Sequence, residues 1–151
     1  MSSSVMNLRP YRPSDLDTLY QIDQACFPPG VSYSKDEIER FISHRNSQTW
    51  VAQAGEEVAG FLIAGRERHG AAHIVTIDVA EQWRRRSVGM ILMDAAEVWA
   101  KRDGLRLVYL ETAEDNLPAQ AFYRKRGYEK LKRIERYYAN GAAAWVMTKW
   151  L

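Results

Sequence analysis

The run Ile77-Asp78-Val79-Ala80-Glu81-Gln82-Trp83-Arg84-Arg85-Arg86-Ser87-Val88-Gly89-Met90 carries a strand-like apolar stretch into a basic turn and then into a helix. That order constrains the chain strongly, because the turn is built to hold a phosphate. Unpaired backbone N–H groups at a helix start project outward with the positive end of the helix dipole, and an anion seated there meets donors and field together. Arginines add charge and reach. Arg84, Arg85, Arg86, Ser87, Val88, Gly89 and Met90 are therefore candidate anion-binding residues. A solvated basic turn is the alternative for Arg84 to Arg86.

Length and charge narrow the partner. The chain has 151 residues, 46% of them hydrophobic, and no Pro/Gly/Ser-rich linker or internal repeat divides it. This composition predicts a single domain over 1–151 with a substantial core. Twenty-one basic and 19 acidic residues are interspersed and leave a formal charge of +2, whereas nucleic-acid binding calls for a clustered basic face. A polyanionic small molecule fits this balance. The lone Cys26 cannot form an internal disulfide, the opening MSSSVMN lacks signal-peptide features, and no apolar run is long enough to span a bilayer. A cytoplasmic protein with no membrane and no direct nucleic-acid partner is expected.

Periodicity supplies the element order. A short strand over about 6–10 precedes Ser14-Asp15-Leu16-Asp17, which has the form of a capping box and starts a helix toward Cys26, stopped by Phe27-Pro28-Pro29-Gly30. Ser34-Lys35-Asp36-Glu37 is a cleaner capping box, opening a helix that carries Ile38, Phe41 and Ile42. Trp50 to Ala54 and Val58 to Ile63 around Gly55 read as a hairpin, with a third strand over 72–79. Val88, Ile91, Leu92, Ala95 and Trp99 recur at helical spacing up to a cap at Gly104, and the buried strand Leu107 to Glu111 follows, which makes a right-handed parallel crossover. A helix capped by Asn116 runs to Gly127, and strands over about 128–135 and 144–150 finish an order βααβββαβαββ.

Glu111 ends an apolar strand. Burial raises a carboxylate's pKa toward the range where it accepts a proton from an amine near neutral pH, which makes Glu111 a candidate base; it could equally be the first polar residue of a loop. Asn116 and Tyr123 lie two turns apart on one helix face, so an amide and a phenol share a surface, with capping and packing as the alternative roles. His44, His69 and His73 have no metal-ligand spacing with Cys26 or each other, and no metal is expected. Cys26, with no evident His partner, reads as a small buried side chain.

The string Leu110-Glu111-Thr112-Ala113-Glu114-Asp115-Asn116-Leu117-Pro118-Ala119-Gln120-Ala121-Phe122-Tyr123-Arg124-Lys125-Arg126-Gly127-Tyr128 resembles the segment "LEV…N..A..LY…GF" of the GNAT N-acetyltransferase superfamily. Arg84-Arg85-Arg86-Ser87-Val88-Gly89 resembles that superfamily's pyrophosphate loop, Arg/Gln-x-x-Gly-x-Gly/Ala, with Ser87 in place of a glycine that lets backbone approach the phosphate or take positive φ. The nearest likeness within it is to RimI-type ribosomal-protein-alanine and related protein Nα-acetyltransferases, and it covers nearly the whole chain. The resemblance implies an α+β (α/β) GNAT acyl-CoA N-acyltransferase fold, in which about four helices flank a mixed, mostly antiparallel sheet of about seven strands. It implies acetyl-CoA as cosubstrate and direct attack by an amine, with Glu111 as proton acceptor, Asn116 on CoA and Tyr123 as proton donor. Ile77, Asp78 and Val79 would pair with the pantetheine arm, while residues 85–90 cradle the pyrophosphate and a backbone N–H near Val79 takes the oxyanion. Phe27, Pro28, Tyr33, Tyr137 and Tyr138 correspond to aromatic loops that close over an incoming peptide, so the implied partner is a protein N-terminus, such as that of a ribosomal protein. Gly30-Val31-Ser32 and Ala142-Ala143-Ala144 depart from the RimI pattern and leave the acceptor open. A GNAT acting on a small amine or lysine, and a non-catalytic CoA-binding module, are the competing readings.

Overall fold

In the computed structural model, which describes residues 5–151, the chain runs β1 (Met6–Arg9), α1 (Leu16–Cys26), α2 (Lys35–Ser43), β2 (Ser47–Ala54), β3 (Glu57–Glu67), β4 (Ala71–Val79), α3 (Val88–Arg102), β5 (Leu107–Ala113), α4 (Leu117–Lys125), β6 (Glu129–Ile134) and β7 (Ala144–Trp150). The order is the expected one. The seven strands form one sheet in the order β1-β2-β3-β4-β5-β7-β6, in which only β4 and β5 pair in parallel. Their connection through α3 is long enough to require that arrangement.

Local signals explain most boundaries. Ser34 Oγ accepts from the Glu37 N–H at 3.1 Å while Glu37 accepts from the Ser34 N–H at 2.9 Å, a reciprocal cap worth about 1 kcal/mol. The Asn116 side chain caps α4 through the Ala119 N–H at 3.2 Å. The capping box expected at Ser14 is not formed. A 3₁₀ turn over Pro13–Asp15 precedes α1, and the Asp15 carboxylate accepts from the Arg12 N–H and pairs with Arg9, each at 2.8 Å. The Asp15 carboxylate is taken up by Arg9 and the Arg12 N–H instead of by a box with Ser14.

Hydrophobic layers cover both sheet faces. Leu62, Ile74, Val88, Leu92, Met93, Leu110 and Tyr128 pack under α3 and α4, while Leu19, Ile38, Val51, Phe61 and Ile63 pack under α1 and α2. A bulge in β4 at Val75 shifts the register against β3, so Ile74 and Ile77 share the α3 face whereas Thr76 and Asp78 turn to the α1 face. Two-residue alternation read from the sequence cannot show that reversal. Among the described residues, no helix is long and apolar enough to cross a membrane.

Candidate active site

The site begins where β4 and β5 part. Their parallel ladder covers only Ala71–Ile74 against Leu107–Leu110. Beyond it β4 stays paired with β3, and Glu111–Ala113 stay paired with β7, so a wedge opens between the two strands. Backbone polarity inside the wedge follows from neighbouring bonds. Ala80 N–H donates to Ala59 O at 2.8 Å, toward β3, and the Val79 carbonyl faces the opposite way, accepting from Arg84 Nε at 3.3 Å and Cys26 Sγ at 3.4 Å. A strand residue's N–H and C=O share a side, so the Val79 N–H is presented to the wedge.

The wedge opens into a cavity of about 780 Å³. One end is the start of α3. Ile91 is the first residue to bond back within the helix, to Ser87 O at 3.0 Å, and the N–H groups of Val88, Gly89 and Met90 have no intrahelical acceptor. Arg85 (φ 62°) and Ser87 (φ 65°) are both left-handed, a curvature that turns successive N–H groups inward as an anion cradle. Ser87 thus adopts the conformation for which the family pattern uses glycine. A Cβ at Gly89 would lie 3.2 Å from Phe122 Cζ, so glycine lets α3 and α4 close on each other at this wall. The basic cradle and the open strand edge fit the phosphates and amide arm of acetyl-CoA.

Most of the expected cofactor residues converge here. Ile77, Val79, Arg84, Arg85, Ser87, Val88, Gly89, Met90 and Asn116 all line the cavity. Two side chains do not. Asp78 is 1% exposed and points its carboxyl toward Asp23 of α1 and the Thr76 hydroxyl on the opposite face. Arg86 lies over the Trp83 ring, 5.3 Å from its centroid. Arg84 reaches back to Val79 O and, at 3.6 Å, to Cys26 Sγ. Burial raises the Cys26 thiol pKa, which keeps it protonated beside this carbonyl.

Glu111 stands at the fork itself, with a side chain 14% exposed. Its Oε1 lies 2.6 Å from Nε2 of His73, and the His73 ring stacks on Tyr109 at 4.5 Å between centroids. Sequence spacing could not find His73 as a functional residue. The signal lies in the register, which sets His73 opposite Tyr109 and one strand position below Ile74 and Leu110, the last pair before the wedge. Tyr123 of α4 lines the same cavity, and burial raises its pKa and holds the phenol protonated. A carboxylate with an imidazole partner and a protonated phenol can accept and deliver protons from different sides of one cleft.

Of the residues expected on the acceptor side, Tyr33, Tyr137 and Tyr138 lie near Glu111. Phe27, Tyr33 and Tyr138 line the cavity; Pro28 and Tyr137 do not. Burial and the nearby Glu111 carboxylate push the Tyr137 pKa up to about 12. The two aromatic segments are tied together, since Ala139 N–H donates to Gly30 O at 3.1 Å.

These features are those of an acetyl-CoA-dependent N-acetyltransferase, and residues 16–128 match the acetyltransferase (GNAT) family. The chain belongs to that family. It is similar to an N-alpha-acetyltransferase of Saccharolobus solfataricus, with 28% identity across 94% of this chain and 91% of the relative. The structure superposes on Ard1 of Thermoplasma volcanium with a TM-score of 0.91 at 26% identity, covering 97% of both chains. The ribosomal-protein-S18-alanine N-acetyltransferase of Escherichia coli has the same fold, with a TM-score of 0.85 at 19% identity over 97% of this chain and 94% of that one.

Proposed function

We propose that this protein transfers the acetyl group of acetyl-CoA to the α-amine of a protein N-terminus, by direct attack and without an acetyl-enzyme. The observation that carries the reading is the placement of Glu111, paired with His73 at 2.6 Å, at the strand fork beneath two joined aromatic segments. Similarity to a relative named an N-alpha-acetyltransferase supports the acceptor class.

Each step needs a separate group. Glu111, with His73 holding its orientation and able to receive the proton in turn, deprotonates the incoming ammonium directly or through water. An α-amino group has a reference pKa of about 7.7–8.0 against about 10.4 for lysine, which suits a carboxylate–imidazole base near neutral pH. The Val79 N–H stabilises the charge that develops on the thioester oxygen. Tyr123 gives its proton to the departing thiolate. Ile77 and Val79 offer the open strand edge to the pantetheine amides, the start of α3 holds the pyrophosphate, and Asn116 fixes the start of α4 beside it.

Acceptor screening tests the proposal. Thiol release should be fastest with short peptides bearing a free α-amine, one beginning Ala-Arg among them, and absent with the same peptides blocked at the N-terminus but carrying lysine. Turnover of a polyamine or a free amino acid in preference to every peptide would overturn it.

A further inference from the structure

On the face of β4 opposite the cofactor wall, two carboxyl groups are buried against each other. Asp23 of α1 is 0% exposed and Asp78 is 1% exposed. Each has one oxygen engaged: Asp23 Oδ2 accepts from the Tyr33 N–H at 2.7 Å, and Asp78 Oδ1 accepts from the Thr76 hydroxyl. The other two oxygens, Asp23 Oδ1 and Asp78 Oδ2, are buried with no donor. No cation is paired with either carboxyl among the described residues. The two carboxyls are within hydrogen-bonding range of each other; two buried carboxylates so placed cannot both stay ionised, and a single hydrogen between them supplies the donor that each lacks.

We infer that Asp23 and Asp78 share one proton at neutral pH, and that this O–H···O link is a positioning latch that holds the acceptor-facing segment 27–34 against β4. The role in acceptor binding rests on the proposed function above. Through Asp23 the latch reaches both ends of the segment, since Asp23 O accepts from the Phe27 N–H at 3.1 Å and Asp23 Oδ2 holds the Tyr33 backbone. Through Asp78 it reaches the strand whose opposite face lines the cofactor cavity. Tyr33 completes the connection, its hydroxyl donating to Val75 O at 3.4 Å and its ring meeting Phe41 edge-on at 5.0 Å.

The groups nearest the pair are neutral in their ordinary states, and the Arg84 guanidinium stands one contact further out, at Cys26 Sγ. The neutral groups are Cys26 on α1, Tyr33 in the segment, Thr76 on β4, Tyr123 on α4 and the apolar Phe61 opposite on β3. Burial and the Asp23 charge raise the Asp78 pKa well above the ordinary carboxylate range. Loss of the shared proton as pH rises would set two like charges against each other and loosen the segment. The acceptor KM then increases with pH, beyond any effect of amine ionisation.

The test pairs a titration with kinetics on the full chain. Carbon-13 NMR of aspartate-labelled protein should show one carboxyl still protonated near pH 7, a signal lost in Asp78→Asn. Asp78→Leu should raise the peptide KM on the order of 10–100-fold with acetyl-CoA affinity retained, the penalty expected for a displacement of roughly 1 Å. Asp78→Asn, which can still donate to Asp23, should rescue most of that loss, and the ratio of wild-type to Asn-variant KM should climb with pH. If Asp78→Leu does not fold, the Asn comparison across pH carries the kinetic arm. Both carboxyls titrating near 4, or a KM ratio independent of pH, would overturn the latch. Failure of every peptide as acceptor would instead remove the proposed function, and the titration would still decide the shared proton.

Discussion

Nε2 of His73 lies 2.6 Å from Oε1 of Glu111, across the last paired rung before β4 and β5 separate. The contact makes one proton-handling unit from two strands. Glu111→Gln keeps the shape and removes the base, so kcat should fall by on the order of 10²–10⁴ with acetyl-CoA affinity little changed. His73→Gln should lower kcat by less, and the double variant should fall short of the product of the two single losses because the residues are coupled. Steady-state thiol release and acetyl-CoA titration calorimetry check this, and full turnover in Glu111→Gln would remove its assignment as base.

Tyr123 is 8% exposed and held protonated by its burial. Replacement by Phe deletes only the hydroxyl. The expected result is a kcat lowered by on the order of 10²-fold or more, with unchanged binding of acetyl-CoA and peptide. A thioester analogue with a more acidic leaving thiol should recover much of the lost rate. Equal losses with both thioesters would place the hydroxyl outside leaving-group protonation.

Local chemistry was legible where neighbours in sequence create it. The Ser34–Glu37 box, the Asn116 cap and the basic turn before α3 all depend on contacts within a few residues, and the structure forms each of them. The His73–Glu111 contact and the Asp23–Asp78 pair span 38 and 55 positions and depend on register. The bulge at Val75 makes that register unreadable from alternation, because one extra residue moves Thr76 and Asp78 to the α1 face. Asp78 lies between the apolar Ile77 and Val79, and its partner lies on a helix that sequence alone could not dock.

Ser87 holds φ at 65° immediately before α3. Left-handed backbone costs a residue with a Cβ about 1–2 kcal/mol, partly offset in glycine by its larger unfolded-state entropy. Ser87→Gly should therefore raise Tm by roughly 1–4 °C and bind CoA equally or more tightly. Thermal melts with and without CoA measure both. A large loss of CoA affinity would identify the hydroxyl as a phosphate ligand.

Asp15 gives the fold an acid-sensitive tie. Its hydrogen bond with Arg9 is the main cause of a pKa below the ordinary carboxylate range. A depressed folded-state pKa means stability that is fully present above the unfolded value near 3.9 and is lost as pH falls through the lower folded value. Asp15→Asn should destabilise the protein by about 1–3 kcal/mol near pH 7, and the gap from wild type should shrink as pH drops below 4. Urea unfolding at several pH values tests the sign, and a pH-independent gap would refute it.

Gly30 joins the two aromatic segments. Its carbonyl accepts from Ala139, its φ is 89°, and a Cβ there would sit 2.7 Å from both N and Cβ of Asn140. Neither the backbone conformation nor the space admits a side chain, so Gly30→Ala must push the 27–34 segment away from residues 137–141. Segment 27–34 carries Phe27 and Tyr33, and 137–141 carries Tyr137 and Tyr138, while the cradle at α3 lies on separate elements. The substitution should raise the peptide KM by roughly 10-fold or more and leave the acetyl-CoA Kd within error. Equal peptide KM values in the two proteins would mean that the aromatic segments do not grip the acceptor.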